Sequence, residues 1–473
     1  MKKQYIKSFM LSVVLGSLSL TSCDGYLDTM PSDSLPSDEV IMSLQDVETA
    51  LNGSYYSLNN ESYYGCDFIA RGEVGGEDVQ CSANTNRTDN FYRFVARQNN
   101  SPQGLWKYPY MIINRANSLL EAIDKGNLPA GEELNNAKGE ALAIRALCHF
   151  DLLKMYGKPY FVENGNTLGV PLVDKVLPAS ELPARSTVAQ GYDMVITDLN
   201  NALTIGIQDK VKEGRFNSWA VKGLLTRVHL YKGDYDKAFE YAQDIIKNSP
   251  YTLLENKNYV SAWGGRCNSE SIFDIEISEL QSGVREMFGY VVDPKGYASV
   301  INTTEFETLI NENGEDDVRT QLIAKGADAK KGHTYMNKYP GINGSTVVNN
   351  IRVIRLSDIY LMAAEAALKK TEKDQQSANE YLNAIIKRAM PNAADVEATI
   401  DLVLKERRKE LVMEGHRFYD ILRLGIKVTR KGGHHYLNNT DLIAPSYEDY
   451  RAILAIPQAE IDVNPNIKQN EGY

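Results

Sequence analysis

The chain has 473 residues, of which 43% are hydrophobic and 24% are charged. These values are ordinary for a globular protein that buries one large core or two smaller ones, and they argue against disorder. The formal net charge is −11 at pH 7. Nucleic acid is therefore excluded as a partner, because phosphate binding needs a basic surface.

The N-terminus has the pattern of an export signal. Lys2, Lys3 and Lys7 form a basic head, and an apolar run over residues 9–20 follows. This run is well short of the roughly 20 residues that span a bilayer, so it predicts targeting rather than a membrane helix. Leu20-Thr-Ser-Cys23 resembles the lipobox of bacterial lipoproteins, which would make Cys23 the acylated first residue of the mature protein. The alternative is an ordinary secretory signal that happens to be followed by a cysteine.

Removal of residues 1–22 also removes three lysines and no acid, which lowers the net charge by three, to −14. Residues 24–38 are rich in Ser, Asp and Pro, a composition typical of an extended tether. We therefore expect a signal peptide over 1–22, a tether over 23–38 and one domain over 39–473. We divide that domain into an N-terminal part of about 39–215 and a C-terminal part of about 216–473.

Four further cysteines fit no zinc or redox motif, namely Cys66, Cys81, Cys148 and Cys267. Cys66 and Cys81 could form a disulfide in an exported protein, but unpaired thiols are an equally good interpretation. Cys148 lies in an apolar helical stretch and is expected in the core.

Helical periodicity dominates the rest of the chain. One apolar stripe recurs at three- or four-residue steps from Leu142 to Leu153, and its helix is predicted to end at Gly157. Thr187 and Gln190 form a capping-box pattern at the start of a second amphipathic helix, whose stripe can pack against the first. The one clear strand candidate alternates Phe273, Ile275 and Ile277 with acidic residues.

Residues 220–250 have the spacing of a tetratricopeptide repeat. Lys232-Gly-Asp-Tyr-Asp-Lys-Ala238 supplies the turn and the small residue at the helix crossing, and Pro250 ends the second helix. We expect Tyr235 to fill the gap between the two helices. A degenerate second copy starts at Asp358 and resumes at Ala378. A chance helical hairpin is the alternative, and it is stronger for the second copy.

Five stretches together resemble the SusD/RagB family of nutrient-uptake outer-membrane lipoproteins, and they occur in the family's order from the signal peptide to the last residue. They are the lipobox at Cys23, 145–157 (RALCHFDLLKMYG) leading into 169–172, 214–220 (GRFNSWA) running into 227–235 (RVHLYKGDY), 406–423 (ERRKELVMEGHRFYDILR), and 456–470 (IPQAEIDVNPNIKQN) with the final Gly-Tyr.

The resemblance implies a mostly α fold, a single globule built on tetratricopeptide-like helix pairs with irregular loops and a few short β-strands. It also implies a cell-surface lipoprotein that binds an oligosaccharide on its loop side and delivers it to a SusC-like TonB-dependent outer-membrane transporter. Anchoring at the outer membrane would come from the acyl chains on Cys23. Some members of the family bind peptides instead.

The charged segment 406–420 looks at first like a catalytic cluster, but acids and bases at these helical spacings also form ordinary ion pairs. Ion pairs that hold helices together are the better interpretation. No nucleophile-elbow, phosphate-loop or zinc-protease motif is present. His434 and His435 follow a Gly pair without a third nearby ligand. We therefore expect no catalytic residue, no metal and no cofactor.

Aromatic and amide side chains in predicted loops are the candidates for ligand contact, because an aromatic ring can stack on a sugar while polar groups bind its hydroxyls. Trp263 ranks first, since it lies between Ala262 and a Gly pair, unlike a helix core. The remaining candidates are Arg266, Tyr290 and Tyr297 in its region, and Tyr63, Tyr64, Asp67, Asn84, Asn86, Arg87 and Tyr92 in an earlier loop.

Other functions remain open at this level. A peptide- or glycopeptide-binding member of the same family would suit the acidic mature chain. A glycan-cleaving enzyme would need two carboxylates opposed across one bond at about 5–10 Å, which a sequence cannot show. A tetratricopeptide scaffold without a small ligand is the third alternative.

Overall fold

The computed structural model describes residues 41–82, 87–280, 283–326, 332–430 and 446–473. It confirms a mostly α fold with a few short strands and irregular loops. The helices are α1 (Leu44–Leu58), α2 (Asp67–Val74), α3 (Asp89–Arg93), α4 (Gly104–Asp124), α5 (Glu132–Tyr156), α6 (Val188–Ile205), α7 (Ser218–Lys232), α8 (Tyr235–Asn248), α9 (Phe288–Val292), α10 (Thr304–Ile310), α11 (Leu356–Lys369), α12 (Gln375–Ala389), α13 (Ile400–Leu411), α14 (Arg417–Leu424) and α15 (Gln458–Val463).

The strands of the described residues form three antiparallel pairs, β1 with β3, β2 with β6 and β4 with β5. They are β1 (Val79–Cys81), β2 (Ser271–Ile275), β3 (Val300–Asn302), β4 (Ile323–Lys325), β5 (Thr334–Met336) and β6 (Ile351–Arg355). β2 confirms the predicted strand, although Ile277 lies beyond its end. Asp274 does not face solvent as simple alternation would suggest, because its buried carboxylate pairs with Arg352.

The two helices predicted before residue 205 are confirmed as α5 and α6, and they pack against each other. α5 ends at Gly157, and α6 begins after Thr187, whose hydroxyl accepts the backbone N–H of Gln190. Phe150 meets Tyr192 edge to face, with ring centroids 5.7 Å apart. The capping box and the apolar stripe therefore act together to define this pair.

Both predicted repeat copies are helical hairpins, α7–α8 and α11–α12, and α8 packs against α11 so that the hairpins stack. Gly233 has φ +83°, which permits the tight turn, and Ala238 and Ala378 are fully buried. Tyr235 was expected between the helices of its own hairpin. Its hydroxyl accepts a hydrogen bond from Lys369 Nζ at 3.4 Å, so it contacts the next hairpin, and its expected position between the helices stays a prediction.

One hydrophobic core runs from Val47 to Ile467 and includes residues from both sides of position 215. The finer division of the domain at that position stays a prediction. Cys66 and Cys81 are not joined by the disulfide that was left open. Cys148 is fully buried, as expected.

The charged segment 406–420 forms ion pairs between helices, which confirms the structural interpretation. Arg407 on α13 binds Asp358 on α11 at 2.8 Å and Asp420 on α14 at 3.1 Å. Arg423 binds Glu365 at 2.7 Å. All of these charged groups are buried, so each one needs its partner.

Several predictions fall outside the described residues, namely the signal peptide, acylation at Cys23, the tether, and the pair His434 and His435. Within the described ranges, none of the helices has the length and apolarity to cross a membrane.

Candidate ligand-binding site

Pairing of β1 with β3 brings together two loops that are far apart in sequence. Val79 lies opposite Asn302 and Cys81 opposite Val300, and the N–H of Ser82 donates to the carbonyl of Ser299 at 2.6 Å. Ser82, directly after β1, therefore lies beside Ser299, directly before β3. Arg87 follows β1 in the chain, and Tyr290 and Tyr297 precede β3.

The segment that precedes β3 is fixed by its own backbone contacts. The N–H of Phe288 donates to the carbonyl of Gly65 at 2.6 Å, and the N–H of Tyr297 donates to the carbonyl of Tyr290 at 3.0 Å. A Cβ on Gly65 would lie 2.7 Å from the backbone carbonyl oxygen of Asn60 and 2.6 Å from the sulfur of Met287, so the backbone leaves room only for glycine here. These contacts hold the two tyrosines on a defined loop.

The Arg87 cluster is a group of four side chains in contact with one another, namely Arg87, Glu286, Tyr290 and Tyr297. Arg87 donates to both carboxylate oxygens of Glu286, from Nε at 2.8 Å and from Nη2 at 3.0 Å. Its guanidinium carbon lies 3.4 Å from the ring centroid of Tyr297, whose hydroxyl donates to Glu286 at 2.9 Å. The Tyr290 and Tyr297 rings meet at 81° with centroids 5.0 Å apart. Arg285 lies 5.9 Å from the Tyr290 centroid.

The Arg87 cluster is accessible to a ligand, since the side chains of Arg87 and Glu286 are 33% and 43% exposed and both tyrosines are half-buried. The hydrogen bonds from Arg87 lower the pKa of Glu286, and the same pair raises the pKa of Arg87. The hydrogen bond to Glu286 raises the pKa of Tyr297. The cluster therefore keeps one fixed charge pattern at neutral pH.

A group of carboxylates lies behind the cluster around the buried thiol of Cys66. Burial, and then the charges of Asp67 and Glu286, raise the pKa of this thiol, while Arg87 lowers it. Burial and the nearby Glu61 raise the pKa of Asp67 to about 7. Asp67, a predicted ligand contact, is half-buried at the start of α2.

Three predicted contact residues of the earlier loop are buried in the core, so the expectation that they are accessible rings is wrong. Tyr63, Tyr64 and Tyr92 are 0%, 2% and 1% exposed. Tyr63 donates to Asp151 at 2.7 Å, and its ring lies 4.8 Å from that of Tyr64. The guanidinium of Arg430 lies 4.2 Å from the Tyr92 ring. None of these rings offers a face to a solute.

Trp263, ranked first from its sequence setting, is also buried, at 6% exposure. It lies in the short 3₁₀ helix Ser261–Gly264 and packs edge to face against Tyr259, 6.2 Å away. Lys338 Nζ lies 4.7 Å from its ring centroid. The glycines beside Trp263 therefore indicate an irregular loop whose side chain turns inward, and the expectation of an exposed ring is wrong.

Arg266 has an exposed side chain, while its backbone carbonyl accepts hydrogen bonds from Asn350 and Arg352. It is not among the residues that define the Arg87 cluster. The candidates Asn84 and Asn86 lie outside the described residues. Of the predicted contacts, Arg87, Tyr290 and Tyr297 are thus the ones that the fold brings together.

Comparison with known proteins agrees with this fold. A profile described as "SusD family" matches residues 295–473, and one described as "Starch-binding associating with outer membrane" matches residues 25–230. A crystal structure of a SusD superfamily protein from Bacteroides vulgatus is 36% identical, with a TM-score of 0.86 over 92% of this chain and 100% of that chain. The chain belongs to the SusD/RagB family.

Similar members of the SusD/RagB family differ widely in sequence. SusD-like protein P25 of Formosa agariphila is 24% identical over 96% of this chain and 97% of its own length. Starch-binding protein SusD of Bacteroides thetaiotaomicron is 32% identical, but over 34% of this chain and 29% of its own length. The similarity to the family therefore extends along the whole chain. The role of the residues in the Arg87 cluster must be argued from their own contacts.

Sequence reasoning missed Glu286 in this SusD/RagB member, although Glu286 accepts three hydrogen bonds within the cluster. The adjacent charged pair Arg285-Glu286 lies four residues before Tyr290, which is a local pattern that could have indicated it. The described residues contain no group of side chains arranged to hold a metal ion.

Three clefts of the described surface, of about 520, 540 and 780 Å³, are lined by residues outside the Arg87 cluster. One of about 520 Å³ borders α1 and includes Arg215, and one of about 780 Å³ includes Tyr450. Volume alone would favour them. Arg215, however, is buried as well as paired with Glu48 and Glu140, whereas the side chain of Arg87 is 33% exposed. We place the candidate site at the Arg87 cluster, where accessible aromatic rings and oriented polar groups coincide.

Proposed function

We propose that this chain is a cell-surface lipoprotein that binds an oligosaccharide at the Arg87 cluster and delivers it to a SusC-like TonB-dependent outer-membrane transporter. Acyl chains on Cys23 would hold it at the outer membrane. The observation that carries the proposal is the pair of half-buried tyrosines, set at 81° to each other beside an oriented guanidinium.

The chemistry of the cluster suits reversible binding of a sugar. A tyrosine ring offers an apolar face to the C–H groups of a pyranose, and its hydroxyl binds sugar oxygens. Glu286 holds Arg87 in one orientation, so little side-chain entropy is lost when a ligand binds. The role is binding, not catalysis, because a guanidinium engages the Glu286 carboxylate and holds its pKa low, unlike a general acid.

The family relatives support a carbohydrate as the ligand. One matching profile is described as starch-binding and outer-membrane-associating, and one relative is named a starch-binding protein. Neither covers the whole chain, so the choice of sugar must come from measurement.

Binding of a panel of neutral and acidic glycans, measured by calorimetry, tests the proposal. We expect at least one saturable interaction that weakens by about tenfold or more in Tyr290→Ala and in Tyr297→Ala, the magnitude typical of a central aromatic contact. Tyr56→Ala is the matched control, since Tyr56 is 58% exposed on α1 and outside the cluster. Its affinity should equal that of the wild type.

The alternatives predict different results in the same experiments. Retention of peptides but not glycans would assign the peptide-binding role. Accumulation of glycan fragments that stops in Glu286→Gln would assign an enzyme. The anchor and the delivery step have separate tests: Cys23→Ala should release the protein from the membrane fraction, and the wild type should co-purify with a TonB-dependent transporter.

A further inference from the structure

Glu286 occupies the part of Arg87 that would otherwise capture an anion. An arginine recognises a carboxylate or sulfate best through two parallel N–H groups on one edge of the guanidinium. In this protein Nε and Nη2 of Arg87, which form such an edge, both donate to Glu286 at 2.8 and 3.0 Å. A third hydrogen bond, from the Tyr297 hydroxyl at 2.9 Å, fixes the carboxylate in that position.

We propose that Glu286 determines the specificity of the site by selecting neutral oligosaccharides against those that carry uronate or sulfate groups. The inference rests on the proposed function and adds a ligand class and a residue to it. Arg87 then donates hydrogen bonds and stacks on the ring of Tyr297, rather than binding an anion.

The other charges around the cluster do not reverse this preference. A Cβ on Gly283 would lie 3.9 Å from Oε2 of Glu61, so Glu61 borders the same loop. The charges of Asp67 and Glu286 both raise the pKa of the Cys66 thiol, so both carboxylates lie near it. Arg285, beside Tyr290, supplies a second cation. In the wild type, Arg87 and Arg285 have acidic neighbours. Replacing Glu286 by a neutral residue makes the net charge around the cluster more positive by one.

The test compares the wild type with Glu286→Gln at low ionic strength, using pentagalacturonate as the acidic probe and maltopentaose and laminaripentaose as neutral probes. Removing a like charge about 5 Å from a bound carboxylate is worth roughly tenfold in affinity at a partly exposed site. We therefore expect Glu286→Gln to gain about tenfold for pentagalacturonate, with little change for the neutral probes. The gain should shrink as salt is added, because the pair is exposed.

Two further variants assign the gain to Arg87. The double variant Arg87→Gln/Glu286→Gln should lose the gain in affinity for pentagalacturonate. Glu240→Gln makes the same charge change in an exposed ion pair on α8 and should show no gain. Because the readout is a gain of binding, an unfolded variant cannot imitate it. An unchanged affinity of Glu286→Gln for pentagalacturonate, or a wild type that prefers it, would overturn the inference. The proposed function fails separately, if the tyrosine variants bind every glycan as the wild type does.

Discussion

Arg355 is expected to be the charged residue on which the stability of the described core depends most. It belongs to a buried network of four cations and five carboxylates. The cations are Arg319, Lys338, Arg355 and Arg388, and the carboxylates are Glu270, Asp317, Glu406, Glu410 and Glu414. Replacement by methionine keeps a long side chain and removes the charge together with its hydrogen bonds.

The geometry sets the size of the effect. Arg355 donates to Glu414 at 2.7 and 2.9 Å, to the Glu410 carboxylate and carbonyl at 2.7 Å each, and to Glu270 at 3.2 Å. Burial is the largest single influence and raises the pKa of Glu414, but Arg355 and Lys338, of which Arg355 acts more strongly, are the main groups that together lower that pKa. Arg355→Met therefore leaves buried carboxylates short of a partner, which should lower the free energy of unfolding by about 3–5 kcal/mol.

Urea unfolding followed by tryptophan fluorescence measures this loss, and Trp263 lies 5.6 Å from the Arg355 guanidinium. Arg355→Lys should recover only part of the stability, because an ammonium keeps the charge but not the planar fork. Lys237→Met, in an exposed pair, should leave stability unchanged.

The pH dependence has a defined sign. The lowered pKa of Glu414 stabilises the wild type above the unfolded pKa of about 4.5 and loses this effect as pH falls. The deficit of Arg355→Met should therefore shrink in acid. A loss under about 1 kcal/mol at pH 7, or equal stability of the Met and Lys variants, would refute the reasoning.

Two further predictions concern α2. Because the pKa of Asp67 is raised to about 7, its ionisation costs stability as pH rises from about 3.8 through 7. Asp67→Asn should therefore raise the free energy of unfolding by at least about 1 kcal/mol at pH 8 and by little at pH 4, as measured in urea titrations. A Cβ on Gly72 would lie 2.6 Å from the carbonyl carbon of Gly415, so Gly72→Ala should lower stability by about 1–3 kcal/mol in thermal unfolding, while Gly53→Ala, which meets no atom within 4 Å, should not.

Much of the helical framework was predictable because its determinants are local. The cap at Thr187, the stop at Gly157 and the turn at Gly233 each depend on residues within one or two helical turns. The ion-pair interpretation of 406–420 also held, because charges on a helix with an apolar face must find partners when they are buried.

The site was predicted only in part. Arg87, Tyr290 and Tyr297 were named from their loops, but Tyr63, Tyr64, Tyr92 and Trp263 were named on the same grounds and lie in the core. Loop composition cannot separate the two groups. A tyrosine or tryptophan is amphipathic, so the same ring can serve as a core residue or as a binding surface.

The sequence by itself determined the helix pairs, the repeat-like hairpins and the family, because periodicity, caps and ordered motifs are written in neighbouring residues. Only the tertiary structure decided which rings face solvent and that Arg87 meets Glu286 across 199 positions of the chain. That contact follows from the pairing of β1 with β3, two strands of three residues each, whose partnership no local pattern encodes. Long-range pairing converts two ordinary loops into one candidate binding surface.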